Sequence, residues 1–469
     1  MKPINFLAEY YKVRASDQNQ TRLLNMYLEA EEITPQGTLK EFSKYKVTAY
    51  QKSGLLAFNS GTGSVGRAIF NKRGVLYAVV DNKLYSYNSA GTRTELGTLN
   101  TSTGQVEIVD INGQLLINDR TDAYTYTIAS TTFATISDGD FPTTPQSACA
   151  QDEFFLVSSN NTATVNGSDV SDGTSWNALS FGSKTGSGDY VKKLISMERR
   201  VYVLGEITSE VWYNSGAATF SFEVDPSVFY HFGIAAADSA TKYRNKLYLL
   251  AQTQSGGVQP LVLEGYQYKP IGTFATNYQI NNLSDVTDAI GFCYEQNGHE
   301  FYELTFPTGN LTLLYDATSD SWSEIEYDGD RSLITGVAYC FGKVLVCVRN
   351  SGKIYQLDPD TFTDGGTSIT RELISAPAYG LGKKSRIHKL QLDFQTGIGS
   401  NPSFTVDVSR DSGQTYPIQL TGTVPDAGGR VFWTSLGQTQ NAWVLRYRCT
   451  ANADVALLGA LAEAELGVH

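Results

Sequence analysis

The sequence is sparing in several respects. Of its 469 residues, 3 are methionine, 4 histidine and 5 cysteine, and charged residues make up 18%, against about 25% in an average soluble protein. A mostly helical chain would carry more Lys, Glu, Leu and Met, whose side chains lose little freedom in a helix. No apolar run approaches the roughly 18–20 residues of a membrane-spanning helix; the longest, Val75–Val80 and Val455–Ala462, are far shorter. Met1–Arg14 lacks the apolar stretch and small-residue cleavage site of a secretory signal. Cys149, Cys293, Cys340, Cys347 and Cys449 form no CxxC pair and no even framework. They read as reduced, mostly strand-core thiols of a protein made in a cytoplasm. Positive charge is also short: Lys+Arg 36 against Asp+Glu 48 leaves −12. A fold-wide basic footprint for gripping nucleic acid is therefore absent, as are the Lys/Arg clusters that an anionic membrane surface attracts.

Motifs for chemistry are equally thin. Gly61-Thr-Gly63-Ser-Val-Gly66 fits a dinucleotide fingerprint in letters, but a strand and a turn follow where that motif requires a helix N-terminus. The histidines, His231, His299, His388 and His469, are scattered, and His299-Glu300 has no second histidine at zinc-site spacing. No Gly-x-Ser-x-Gly elbow supports a nucleophile triad. Asp358 to Gly366 gathers carboxylates without the regular offsets of a calcium loop and reads as an exposed turn. Glu198-Arg-Arg200 and Lys383-Lys384-Ser-Arg386 are too short for a tight grip on phosphates. The reading is no catalytic, cofactor or metal residue.

What the chain has is glycine (43), tyrosine (28) and 12% aromatics, a mix that suits strands and tight turns. Length alone allows two to four domains at roughly 100–200 residues each. Gly66–Leu99 reads as four short strands broken by turns at Asn71–Gly74, Asp81–Asn82 and Asn88–Gly91, the content of one propeller blade. Val106–Ile136 repeats it, with its first turn at Asn112–Gly113. Looser units follow at Ser147–Phe181, Gly188–Val224, Ala237–Thr273, Asp288–Tyr327 and Leu333–Thr370. Their spacing, roughly 35–45 residues, is that of blade-type repeats. Packing twisted sheets around an axis buries both faces of each, which favours a propeller over unrelated sandwiches. Near Pro377–Arg386 the pattern shifts, with Gly380–Lys384 as a linker. Beyond it Leu390/Leu392/Phe394, Phe404/Val406/Val408 and Trp443/Leu445/Tyr447/Cys449 alternate with mostly polar neighbours, as antiparallel sandwich strands do. The expected fold is mainly β: a propeller of about six to seven blades over 46–376, a C-terminal β-sandwich over 377–469, and an N-terminal arm over 1–45. Asn19–Glu32 fits a short helix or an extended arm.

Two further stretches stand out. Ser409-Arg-Asp411-Ser-Gly413-Gln-Thr415-Tyr416 resembles the Asp-box turn of sialidases and other propellers, but it occurs once and outside the blades. It keeps open a glycan-binding or glycoside-hydrolysing propeller as the alternative function; a peptide-binding propeller scaffold is a third. Gly205-Glu-Ile-Thr-Ser-Glu210-Val-Trp212-Tyr213-Asn-Ser-Gly216-Ala-Ala-Thr-Phe220-Ser-Phe222 reads locally as two strands around an Asn-Ser-Gly turn.

This last stretch is similar to the packaged-DNA stabilisation proteins of short-tailed bacteriophages (podoviruses), the tail hub or nozzle. Other pieces follow the same order: Asn25-Met26-Tyr27, Leu76-Tyr77, Lys83-Leu84-Tyr85, Asn112-Gly113, Gly298-His299-x-Phe301-Tyr302-x-Leu304-Thr305-Phe306-Pro307, Tyr315-Asp316…Trp322, Ser351-Gly352-Lys353-Ile354-Tyr355-x-Leu357, Ile369-Thr370-Arg371-Glu372 and the Asp411–Tyr416 turn. The resemblance covers nearly the whole chain. It implies a non-enzymatic virion protein of the tail, assembled in the host cytoplasm. Such proteins form a hexameric ring below the portal and its adaptor, the head-to-tail connector. A tail needle or internal plug closes the channel, and tailspikes or fibres dock outside. DNA would pass the lumen without tight binding, and part of the excess acidity would line the bore and repel phosphates, although ordinary solubility charge gives the same sum. Ring closure needs head-to-tail surfaces. Glu210, Trp212, Tyr213, Phe220 and Phe222 are the expected contact segment, weighed against a place for those aromatics in the blade core.

Overall fold

The computed structural model describes residues 2–4, 7, 10–12, 20–30, 47–378, 383–397 and 400–466. Their sheets resolve into seven blades and a sandwich. Blade 1 is Gly66–Lys72, Val75–Val80, Lys83–Tyr87 and Arg93–Thr98; blade 2 is Glu107–Asp110, Gln114–Asn118, Ala123–Thr127 and Thr132–Thr135. Blade 3 runs from Pro145–Gln151 to the long outer strand Asp172–Ser183, and blade 4 from Val191–Met197 to Phe222–Tyr230. In blade 5 the innermost position is shared by Phe232–Ile234 and Thr241–Tyr243, both paired with Lys246–Thr253 and separated by a single 3-10 turn at Ala237–Ser239. Blade 6 holds Ile290–Gln296, His299–Phe306, Leu311–Asp316 and Ser321–Glu324. Within blades 1 to 4 and blade 6 the strands are antiparallel neighbours in sequence, so short turns suffice. Second strands such as Val75–Val80 and Arg200–Gly205 are almost wholly buried, which explains their unbroken apolar runs.

Blade 7 closes the circle. Ile334–Cys340, Lys343–Val348 and Ser351–Asp358 take their fourth strand from the other end of the propeller: Gly54–Ala57 pairs antiparallel with Ser351–Asp358. The innermost strand of blade 7 also packs against that of blade 1. Closure thus ties early chain to late chain and leaves no blade unfinished.

The sandwich is built from both chain ends. One sheet orders Met26–Ala30, Val47–Gln51, Leu457–Leu466, Ser385–Phe394 and Arg430–Thr439. The other orders Gln20–Leu24, Arg371–Ile374, Val444–Cys449, Ser403–Ser409 and Ile418–Thr423. Leu390, Leu392, Phe394, Phe404, Val406, Val408, Leu445 and Tyr447 fill the space between them. The face expected to be wet is drier than its alternation suggests: Gln391, Asp393 and Asp407 are buried, with Arg446 holding Asp407 at 2.7 Å. The second sheet continues into the propeller, because Leu24 pairs in parallel with Glu324 of blade 6.

Over its described residues, 20–30, the Asn19–Glu32 segment is strand on both sides of Asn25. That residue's φ of 54° lies in the left-handed region and separates the two strands. Val47–Gln51 and Arg371–Ile374 fall on the propeller side of the expected boundaries yet pair within the sandwich. The Gly380–Lys384 linker lies mostly outside the described residues. The one α-helix among the described residues, Phe274–Asn281, is capped by Thr273 and crosses between blades 5 and 6.

Candidate functional site

Three places concentrate polar chemistry: the propeller axis, the crossing from blade 3 to blade 4, and the junction with the sandwich.

The axis is a cavity of about 440 Å³ lined by the innermost strand of every blade, including Phe70, Val109, Ile195, Phe292 and Val337. It is crossed by ion pairs. Arg120, on a loop of blade 2, reaches Asp238 of blade 5, with Glu107 at 4.0 Å. Lys193 of blade 4 pairs with Glu107 of blade 2, past blade 3. Glu107 also accepts the Ala148 N–H of blade 3 at 2.7 Å. Side chains from blades 2, 4 and 5 and a backbone N–H from blade 3 therefore meet in the middle of the propeller.

The blade 3–blade 4 crossing explains the most distinctive sequence stretch. The Glu210 carboxylate is fully buried and accepts from the Thr185 and Gly186 N–H groups at 3.1 and 2.5 Å and from Trp212 Nε1 at 3.1 Å. Beside it Lys184 pairs with Asp189, which also accepts from the Ile207 and Thr208 amides; together these bonds hold the Asp189 carboxyl far below its ordinary value despite its burial. Gly205 is obligatory here, since a Cβ would stand 2.5 Å from Asp189 Oδ2 and 2.6 Å from the Thr208 carbonyl oxygen. Phe220 lies against Gly182 and Gly167 of blade 3. Of the expected contact segment, Glu210, Trp212 and Phe222 are inside the molecule, while Tyr213 and Phe220 are half-buried. The three buried side chains hold one blade to the next and do not reach the surface, which corrects their reading as outward contacts.

At the junction Asn25 joins four segments. Its N–H donates to the Glu324 carbonyl (2.8 Å), its Nδ2 to the Thr370 carbonyl (2.8 Å), its Oδ1 accepts from the Glu326 N–H (3.0 Å), and its carbonyl accepts from the Lys52 N–H (3.0 Å). Around it a charge ladder runs from blade 6 across the sandwich sheet. Arg22 contacts Glu324, Glu326 and Glu372 at 2.7, 2.9 and 2.9 Å. Glu372 then meets Arg448 at 2.6 Å, and Asp407 meets Arg446 at 2.7 Å. The fully buried Arg371 donates to the carbonyls of Cys449, Ala451 and Ala453. These residues carry no periodic signal; only the ordered motifs Asn25-Met26-Tyr27 and Thr370-Arg371-Glu372 mark them.

The other sequence candidates are structural in their surroundings. In the Gly61–Gly66 loop the Ser64 and Val65 amides already donate to the Asp81 carboxylate, at 3.0 Å each. Asp411 accepts from Ser409 Oγ, Thr415 N and Thr415 Oγ1, bonds that lower its carboxyl to about 2, and the Arg446 guanidinium covers the Tyr416 ring at 4.1 Å. His299 is buried against Asp316, Nδ1 to Oδ2 at 2.6 Å; His231 and His388 lie elsewhere, and His469 is outside the described residues. In the Asp358–Gly366 turn Asp364 is not exposed as expected, because Lys52 draws it inward at 2.8 Å. All five cysteines are free and buried in strands. Among the described residues no group of three His, Cys, Asp or Glu could hold a metal ion, and no helix is long and apolar enough to cross a membrane.

Comparison with known proteins agrees with this architecture. Residues 33–362 match the family model described as Bacteriophage P22 Gp10, beta-propeller, and residues 371–465 match Bacteriophage P22 Gp10, beta-sandwich. No curated protein sequence matches. Among solved structures the chain is similar to the computationally designed Ika8 protein (11% identity, 65% of this chain and 99% of that one, TM-score 0.41). It is also similar to the Neurospora crassa Pan2 WD40 domain (9%, 66% and 94%, TM-score 0.42) and the N-terminal domain of Nup159 (12%, 75% and 98%, TM-score 0.38). With family models covering both the propeller and the sandwich, the chain belongs to the bacteriophage P22 Gp10 family, the packaged-DNA stabilisation and tail-hub proteins, and is a phage structural protein.

Proposed function

We propose that this chain is a subunit of the tail hub or nozzle, and that copies of it, six by analogy with the family, close into a ring below the portal and adaptor. The ring extends the DNA channel and helps to retain packaged DNA. A needle or plug closes its lower end, spikes or fibres dock on its outside, and assembly takes place in the host cytoplasm. One observation carries the reading beyond family membership: the propeller's own axis is crossed by Arg120, Asp238, Lys193 and Glu107. A subunit with a blocked axis contributes a wall, and the passage lies between copies. Excess carboxylates facing that passage would repel phosphates over about 8–10 Å at physiological salt.

The ring contact is assigned to the outer edges of blades 3 and 4. There Tyr213 and Phe220 are half-buried, and Leu179 and Phe181, on the outermost strand of blade 3, are 67% and 46% exposed. Apolar side chains on an edge strand offer the anchors a head-to-tail interface needs. Negative-stain images of the purified protein, with and without the adaptor ring, test the proposal. Closed rings in either sample support it. Monomers in both, together with glycosidase turnover, favour the glycan-active alternative.

A further inference from the structure

The alternation in His299-Glu300-Phe301-Tyr302-Glu303 places a carboxyl on the face that the second strand of blade 6 buries. Glu303 is 1% exposed, with Tyr294, Leu55 and Leu357 of the blade 6–blade 7 core among its apolar neighbours. Its Oε1 has no hydrogen-bond partner. A small enclosed cavity touches it, bounded by the closing segment Lys52–Leu55, by blades 6 and 7, and by Asp364. Ser53 Oγ, in the same cavity wall, is also without a partner. An unpaired carboxylate in such a place is expensive, whereas a protonated carboxyl can donate its own hydrogen.

We propose that Glu303 is a proton-linked latch on propeller closure: the closing segment Lys52–Ala57 docks tightly when this carboxyl is protonated and loosens when it ionises. The groups facing it are Lys52 and Ser53 from the closing segment, Tyr294 from blade 6, Ser332, Glu326 and Tyr327 from the blade 6–blade 7 connection, and Asp364 beyond blade 7. Lys52 is engaged by Asp364 at 2.8 Å, so its charge offsets that of Glu303 only in part. Burial, opposed in part by Ser332 and Lys52, raises the carboxyl from 4.5 to about 7. For an acid raised in the fold, the extra stability is complete below about pH 4.5 and is lost as pH rises through about 7.

Hydrogen exchange of Gly54–Ala57 and Ser351–Asp358, compared at about pH 5.5 and about pH 8.5 after correction for intrinsic rates, tests the latch. The wild type should open roughly thirtyfold more readily at the higher pH. Glu303→Gln, which keeps the shape but cannot ionise, should abolish that difference. Equal pH dependence in both proteins, or none in the wild type, overturns the proposal. Infrared spectroscopy of the wild type is a second readout that needs no variant to fold. It should show a carboxylic-acid C=O band in near-neutral buffer that vanishes in alkali; its absence throughout also overturns the proposal.

Discussion

Arg120 of blade 2 and Asp238 of blade 5 meet across the propeller axis, although 118 positions separate them in the chain. Glu107 sits beside them and Lys193 completes the group. The pair couples blades that share no edge. Replacing Arg120 with Ala strands the Asp238 carboxylate, while Glu107 keeps Lys193, and should destabilise the fold by about 2–4 kcal/mol. A double-mutant cycle with Asp238→Ala, followed by denaturant unfolding, should give a coupling energy of about 1 kcal/mol or more. Strict additivity would show that the two side chains do not interact.

The propeller and the sandwich should unfold together. Arg22 bridges Glu324 on blade 6 and Glu372 in the sandwich, and the backbone sheet is continuous beneath it. Arg22→Ala removes three ion pairs at once and leaves Glu372, 5% exposed at its side chain, with Arg448 alone. A loss of about 2–4 kcal/mol is expected, and calorimetry should then show one transition splitting towards two. A variant that still melts in a single unshifted step would contradict a load-sharing junction.

The Gly205–Trp212 stretch makes a sharper test, because its role is steric as well as polar. Gly205→Ala forces a methyl group against Asp189 and Lys184 and should lower stability by about 1–3 kcal/mol. Trp212→Ala, at 1% exposure, should lower it by about 3–5 kcal/mol. Both effects should show as lower midpoints in chemical denaturation. If Trp212→Ala left stability intact and abolished only ring formation, the side chain would be an assembly contact after all.

His299 gives a pH-dependent prediction that can be read on the residue itself. Its hydrogen bond to Asp316, opposed by burial, raises the imidazole above 6.5. A raised histidine contributes stability that is complete below 6.5 and is lost as pH climbs through the folded-state value. NMR titration of the ring should give a midpoint above 6.5, and Asp316→Asn should bring it down. A wild-type midpoint below 6.5 would contradict the pairing.

Much of the fold was legible because the blades repeat a local rule. The turns at Asn71–Gly74 and Asp81–Asn82 and the apolar second strand Val75–Val80 lie where sequence spacing puts them. Long-range partners were not legible. No local pattern announces that Gly54–Ala57 finishes blade 7, or that residues 20–30 thread through the sandwich, because pairing across some 300 residues leaves no periodic trace. Which way the side chains of the Glu210–Phe222 segment point was not legible for a related reason. A run of aromatics looks the same whether it faces solvent or the next blade, and only the folded chain shows Trp212 and Phe222 buried and Tyr213 and Phe220 half-buried. Buried charges such as Glu210, Asp364 and Glu303 are invisible to hydropathy, which treats every carboxylate as wet.

The central claim is that the chain forms the wall of a conduit, with the passage between copies. Cryo-electron microscopy of assembled virions before ejection, with this chain fitted into the tail, tests it most directly. The account predicts a closed ring of propellers around a shared bore, with DNA or plug density inside that bore and side-chain density across each propeller axis at Arg120 and Asp238. DNA density running through individual propellers, or a tail that lacks this chain altogether, would contradict it.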